Sequence, residues 1–141
     1  AIQARAGISL DGGNASGIGY VLSPQFEYQL DRAFGSRNDM IFRWTPTWAT
    51  EGYADYYYEV PDEFETPART AFNARSGYIG SELRVGLERQ INDRLRFESS
   101  IQLWINSGAE NKASPLFEDD HGLGLQAAFI WTLGASDHYE E

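Results

Sequence analysis

A chain of 141 residues is long enough for one domain, and its 42 % hydrophobic content contains no run of the ~18–20 apolar residues that a membrane helix needs. A net charge of −10 excludes a basic surface for nucleic acid, and zero Cys excludes disulfides, thiol catalysis and cysteine metal sites. A mean hydropathy of −0.46 leaves open a chain that turns only alternate residues toward lipid. No charged-then-apolar leader precedes Ala1, so either a signal peptide has been removed or the sequence begins partway into a longer protein.

The apolar residues recur with a period of two, which places them on one face of an extended strand. Segment one, Ile2 to Asp11, sets Ile2, Ala4, Ala6, Ile8 and Leu10 against Gln3, Arg5 and Ser9. After the loop Gly12–Ser16, segment two runs from Gly17 to Asp31, with Ile18, Tyr20, Leu22, Phe26, Tyr28 and Leu30 opposing Ser23, Gln25, Glu27 and Gln29. Pro24 lacks a ladder donor and predicts a bulge or kink there. The turn Arg32–Asn38 leads to segment three, Asp39 to about Glu51, where Met40, Phe42, Trp44 and Trp48 oppose Arg43, Thr45, Thr47 and Glu51. Its strand is expected to reach as far as Val60, with Tyr53, Tyr56, Tyr57 and Tyr58 near the outer end.

A long loop, Pro61–Ser76, precedes segment four, Tyr78–Gln90, in which Ile79, Leu83, Val85 and Leu87 alternate with Glu82, Arg84 and Glu88. A tight turn at Ile91-Asn92-Asp93 leads to segment five, Arg94–Asn106, with Leu95, Phe97, Ile101, Leu103 and Ile105 against Arg96, Glu98, Ser100 and Gln102. That turn predicts a register pairing Glu88 with Arg96, Leu87 with Phe97 and Leu83 with Ile101. The polar loop Ser107–Asp120 precedes segment six, Gly122–Leu133, whose Leu123, Leu125, Ala127, Phe129, Trp131 and Leu133 form an unbroken apolar face.

Long alternating strands joined by alternately short and long connections predict an all-β fold, an antiparallel transmembrane β-barrel in residues 1–134 with an acidic periplasmic tail in 135–141. Leu83, Leu87, Phe97, Ile101, Leu103, Leu125, Phe129 and Trp131 are expected to face lipid, and Glu82, Arg84, Glu88, Arg96 and Glu98 the lumen. Tyr53, Tyr56 and Tyr58 fit an interfacial aromatic belt. Closed single-chain barrels begin at about eight strands. Six strands therefore predict an incomplete wall, finished by strands of a longer parent chain or of a partner.

A more specific likeness begins at Tyr56. Tyr57-Tyr58-Glu59-Val60, then Ala71-Phe72-Asn73-Ala74-Arg75-Ser76-Gly77, a hairpin with an Asn-Asp-Arg turn, Ala113-Ser114-Pro115-Leu116 and a Gly-rich closing strand follow in order. This succession resembles the C-terminal portion of the MipA/OmpV (MltA-interacting protein) family of outer-membrane proteins over Tyr56–Leu133. Members of that family are longer and usually end on an aromatic residue, whereas this chain continues into the acidic stretch Asp137–Glu141. The resemblance implies a non-enzymatic barrel in the outer membrane of a Gram-negative bacterium, serving as a scaffold for a murein-degrading lytic transglycosylase or another envelope protein. It brings no catalytic residue, cofactor or metal.

Three other functions compete. A channel or transporter would use the polar face, and a soluble ligand-binding barrel would turn the apolar face inward and carry more Lys outside. A lipid-modifying enzyme needs a nucleophile and a base. Ser114 and His121, beside Glu118-Asp119-Asp120, are the candidates, but His121 reads more simply as the start of a strand at the loop boundary, Ser114 as part of the Ser-Pro element, and His138 as a solvated tail residue. The three acids lack the spacing of an EF-hand loop, and Gly17-Ile18-Gly19 and Gly122-Leu123-Gly124 lack the strand-turn-helix setting of a nucleotide site.

Overall fold

In the computed structural model, which describes residues 2–11 and 14–133, the alternating segments form one antiparallel sheet. Its strands are β1 (Ile2–Asp11), β2 (Asn14–Pro24), β3 (Phe26–Leu30), β4 (Asn38–Ala49), β5 (Gly77–Asn92), β6 (Leu95–Ile105) and β7 (His121–Trp131). β2 and β3 are two halves of one bent strand. The ladder breaks at Gln25, just after Pro24, and both halves then pair with β4. The sheet order β1-β2-β4-β5-β6-β7, with β3 beside β4, is a meander in which each segment lies next to its sequence neighbour. Among the described residues β1 pairs only with β2 and β7 only with β6, so both edges of the sheet are open.

Two expectations are corrected. Segment three does not extend to Val60. β4 stops at Ala49, and Glu51–Tyr58 forms a short helix, α1. Within this stretch, Glu51, Ala54, Asp55 and Tyr58 stand three and four residues apart, a helical spacing hidden by the run of tyrosines. The register of the β5–β6 hairpin is also shifted by two residues. Leu83 pairs with Leu103, Val85 with Ile101, Leu87 with Ser99, Glu88 with Glu98 and Gln90 with Arg96. Asn92 causes the shift, because its Oδ1 accepts the backbone N–H groups of Arg94 and Leu95 and draws the reversal forward onto Asp93-Arg94. An irregularity between Gln90 and Asn92 absorbs the difference. A shift of two keeps every side chain on its face, whereas a shift of one would have reversed them.

Bulges re-aim two strands where they approach the long loops. The β1–β2 register shifts at Gly7/Ile8, opposite Gly19, and the β4–β5 register shifts at Thr47/Trp48, opposite Gly80. The extra residue in β5 moves its apolar phase from odd to even positions, so Tyr78 meets Trp48 edge-on at 5.9 Å between ring centroids. Gly80 has φ +148, and a Cβ there would collide with Asn106 Oδ1. Gly80→Val is therefore expected to cost about 1–3 kcal/mol through backbone strain, with the collision added. Gly86→Ala, whose nearest neighbours lie 3.8 Å away, should be close to silent. Urea midpoints of the folded protein compare the two, and equal midpoints would remove the strain argument.

Candidate functional site

The register divides the wall into two chemically distinct faces, because side chains alternate across a pleated strand. On one face the ladder runs Phe26–Trp44–Leu83–Leu103–Leu123 across five strands, with Tyr28–Phe42–Val85–Ile101–Leu125 beside it. Leu87, Phe97, Phe129 and Trp131 belong to the same face. Most of these side chains are open to the surroundings: Leu125 is 74 % exposed, Phe129 69 % and Trp131 66 %, while Leu87 and Phe97 are half-buried. Among the described residues, the buried hydrophobic ones are small or medium: Val21, Ala49, Ala54, Val60 and Ala74.

The opposite face brings together Glu82, Arg84, Glu88, Arg96 and Glu98, and its charges bond laterally. Arg43 reaches Glu27, its cross-strand partner, at 2.6 Å. Arg84 donates to Ser100 Oγ at 3.0 Å and to Gln126 Oε1 at 2.8 Å, spanning three strands. Arg96 sits between Glu98 at 2.9 Å and Glu88 at 3.9 Å, so the Glu88–Arg96 contact exists as a diagonal rather than a directly opposed pair. With these pairs partly solvated, each contributes about 0–1 kcal/mol and chiefly fixes register. A polar cavity of about 460 Å³ lies on this face between β1 and β6.

At the end of the sheet where the long connections lie, α1 and the two loops form a cap. The helix packs on β2, with Gly19 and Gly52 permitting the close approach of Tyr53 and Ile18. All three motif segments meet in this cap. Val60 and Phe72 form a two-hydrogen-bond bridge, and Ala74 is buried beside it in the same loop. Ser114 Oγ donates to the Tyr58 carbonyl at 2.6 Å and accepts the Leu116 N–H. Asn111, 1 % exposed, accepts the Arg75 N–H at 2.8 Å and donates to the Arg75 carbonyl at 2.7 Å, as a neighbouring strand would. This Asn is the structural residue that the motif reading missed. Its position three residues before Ser114 gave no pattern to find it by.

Tyr53, Tyr56 and Tyr58 therefore stand on a helix of the cap, not on a strand. Tyr57 makes ring contacts with all three, and Tyr58 also with Phe117. Burial pushes the Tyr53 and Tyr58 hydroxyls above the usual phenol range, so they stay protonated. Local desolvation, followed by the neighbouring Asp55 carboxylate, raises the Glu59 carboxyl. The cap is acidic throughout: α1 and the two loops carry ten carboxylates against three cations, while charges in the strands and short turns balance.

The alternative chemistry finds little support in the geometry. The Ser114 hydroxyl is committed to backbone groups, His121 is exposed at the start of β7, and Asp120 pairs with Lys112 at 2.8 Å. No cluster of three or more His, Cys, Asp or Glu side chains able to hold a metal forms among the described residues. His138 and the acidic tail lie outside those residues, as do Gly12 and Gly13 of the first loop.

Searches of curated proteins and of solved structures found no match. Residues 3–133 match the family model of the MltA-interacting protein MipA, a span reaching well upstream of Tyr56 where the quoted motifs begin, and the chain therefore belongs to that family.

Proposed function

We propose that the protein is a non-enzymatic outer-membrane β-barrel that serves as a scaffold in the Gram-negative cell envelope. One observation carries the membrane reading: the large apolar side chains are exposed on one face while the ionic pairs sit on the other. A soluble monomer rarely exposes an apolar patch beyond a few hundred Å², and this one crosses every strand from β3 to β7. Strands of 11 to 16 residues in β4–β7 exceed the ~9–11 that a tilted strand needs to cross a bilayer. The apolar face is thus the lipid face, and the paired charges line the lumen. Tyr20, Trp48 and Tyr78, near the cap, supplement the tyrosines of α1 as an interfacial belt. On this reading residues 1–134 form the barrel domain and 135–141 an acidic periplasmic tail.

Open edges in hydrocarbon would leave backbone donors and acceptors unpaired at several kcal/mol each, so on this reading β1 and β7 are completed by strands of a longer parent chain or of a partner. Family membership supports the scaffold role, with a murein-degrading lytic transglycosylase or another envelope protein as the partner class. With no native Cys, single-Cys variants give a direct test. Cys at Leu125 should be shielded from a membrane-impermeant maleimide in native membranes, and Cys at Gln126 should react through the lumen. Reversed labelling would overturn the lipid assignment. Cross-linking in cells should capture the transglycosylase on the periplasmic turns, and its absence would remove the scaffold role. Steady conductance in planar bilayers would replace that role with a channel.

A further inference from the structure

Trp104 breaks the chemical rule of its face. Along β6 the even positions carry Arg96, Glu98, Ser100 and Gln102, and then this indole, opposite Glu82 on one side and Gly122 on the other. Its benzo ring extends along β7, where two glycines make room for it. A Cβ at Gly122 would lie 3.1 Å from Trp104 Cε3, and one at Gly124 would lie 2.9 Å from Cη2 and 3.0 Å from Cζ3. A side chain at either position would have to push the ring away. The indole remains 37 % exposed and forms one wall of the 460 Å³ polar cavity. Around it stand Gln3, Arg5, Thr45, Glu82 and Asn106. Arg5 has no ion pair and no hydrogen bond among the described residues.

We propose that this cavity binds one pyranose ring of a glycan, stacked on Trp104. The lining supplies one flat aromatic surface and a rim of amide, hydroxyl, carboxylate and guanidinium groups. That combination fits a ligand with one apolar C–H face and an edge of hydroxyls. A planar aromatic ligand would instead call for a second flat apolar wall, which Ile79, the other apolar side chain of the lining, does not supply. The volume falls within the range of about 300–1,000 Å³ usual for small-molecule sites. Arg5 supplies guanidinium donors for ring hydroxyls or for the carboxylate of an acidic sugar. The inference rests on the polar face being a water-filled lumen but is independent of the scaffold role.

Saturation-transfer NMR on the full-length protein tests it, in a zwitterionic detergent so that no sugar headgroup competes. The probes are chitotriose, which carries N-acetyl groups, and maltotriose, which does not. Binding of either is the expected result, and the preferred one identifies whether the source is an amino-sugar glycan or a plain hexose chain. Trp104→Ala should weaken binding roughly tenfold, a typical worth of one aromatic face. Trp104→Phe should weaken it less, and Trp131→Phe, on the other face, should leave it unchanged. Gly124→Ala, which retains the indole but displaces it, should weaken binding as well. If Trp104→Ala fails to fold by heat-modifiable gel migration, the Phe and Gly124 variants decide. No binding of either sugar by the folded wild type would overturn the proposal, as would unaltered affinity in folded Trp104 and Gly124 variants. Sugar binding without transglycosylase capture would remove the scaffold role alone, and capture without sugar binding would remove this site alone.

Discussion

Leu125→Arg is expected to lower the folded fraction of the protein sharply, and Leu103→Arg to do nearly the same. Both leucines stand on the apolar face, Leu125 opposite Ile101 and Leu103 between Leu83 and Leu123. On the proposed lipid face a guanidinium has no cross-strand partner and must sit in hydrocarbon or bend toward the interface. Near the bilayer midplane that costs about 2–4 kcal/mol, a large share of the ~5–15 kcal/mol that holds a typical protein together. Gln102→Arg adds the same charge one residue from Leu103, on the opposite face. There Glu82 lies within reach, since Gln102 Nε2 already approaches its Oε1 at 3.5 Å. Arg84 stands directly across, so the change is not free, but water and a carboxylate are at hand. The folded fraction after assembly into membranes, read from heat-modifiable migration, should fall for the two leucine variants and barely move for Gln102→Arg. A uniform loss at all three positions would mean that the two faces do not differ in what they touch.

The contrast between these neighbours also marks how much of the fold the sequence makes legible. In β6 and β7 the period of two dominates, broken by Ser99, Trp104 and Ile130, so strand and order could still be read from it. The meander follows from the same signal, because each segment pairs with the next. Pattern reading failed where local chemistry overrides periodicity. Asn92 caps the turn with its side chain, and an alternating pattern is indifferent to a shift of two residues, so the β5–β6 pairing could not be fixed by hydrophobicity. α1 was invisible for a related reason. Eight residues give barely two turns, and the consecutive tyrosines Tyr56, Tyr57 and Tyr58 point in three different directions around the helix. Trp104 was concealed by its own type, because an aromatic residue in a barrel sequence suggests lipid until its register is known. The glycines at 122 and 124 acquire their purpose only when the neighbouring strand is placed against them.

The motif elements were legible as a succession but not as an assembly, and the cap is where their separate pieces acquire a shared physical role. Asn111→Ala is the change expected to open it. The Asn111 amide satisfies both backbone groups of Arg75, and its burial keeps water from replacing it. Truncation leaves an N–H and a C=O without partners, at about 1–3 kcal/mol for each group, or roughly 2–6 kcal/mol together. Since each 1.4 kcal/mol is a factor of ten, even the lower bound raises the open population about thirtyfold. The opening should stay local, because the hydrogen-bonded ladders β4–β5 and β5–β6 do not pass through Asn111. Trypsin reports it at Arg69 and Arg75, which the loop carries between Pro61 and Gly77. Faster cleavage there, with heat-modifiable migration of the wall unchanged, is the expected result. Asn111→Asp should open the cap too, since a carboxylate can accept from the Arg75 N–H but cannot donate to its carbonyl, and it brings a charge into a site closed to water. Cleavage at the wild-type rate would show that the loop is held by Ser114 and the Val60–Phe72 bridge without Asn111. Loss of the folded band would show instead that cap and wall form a single cooperative unit.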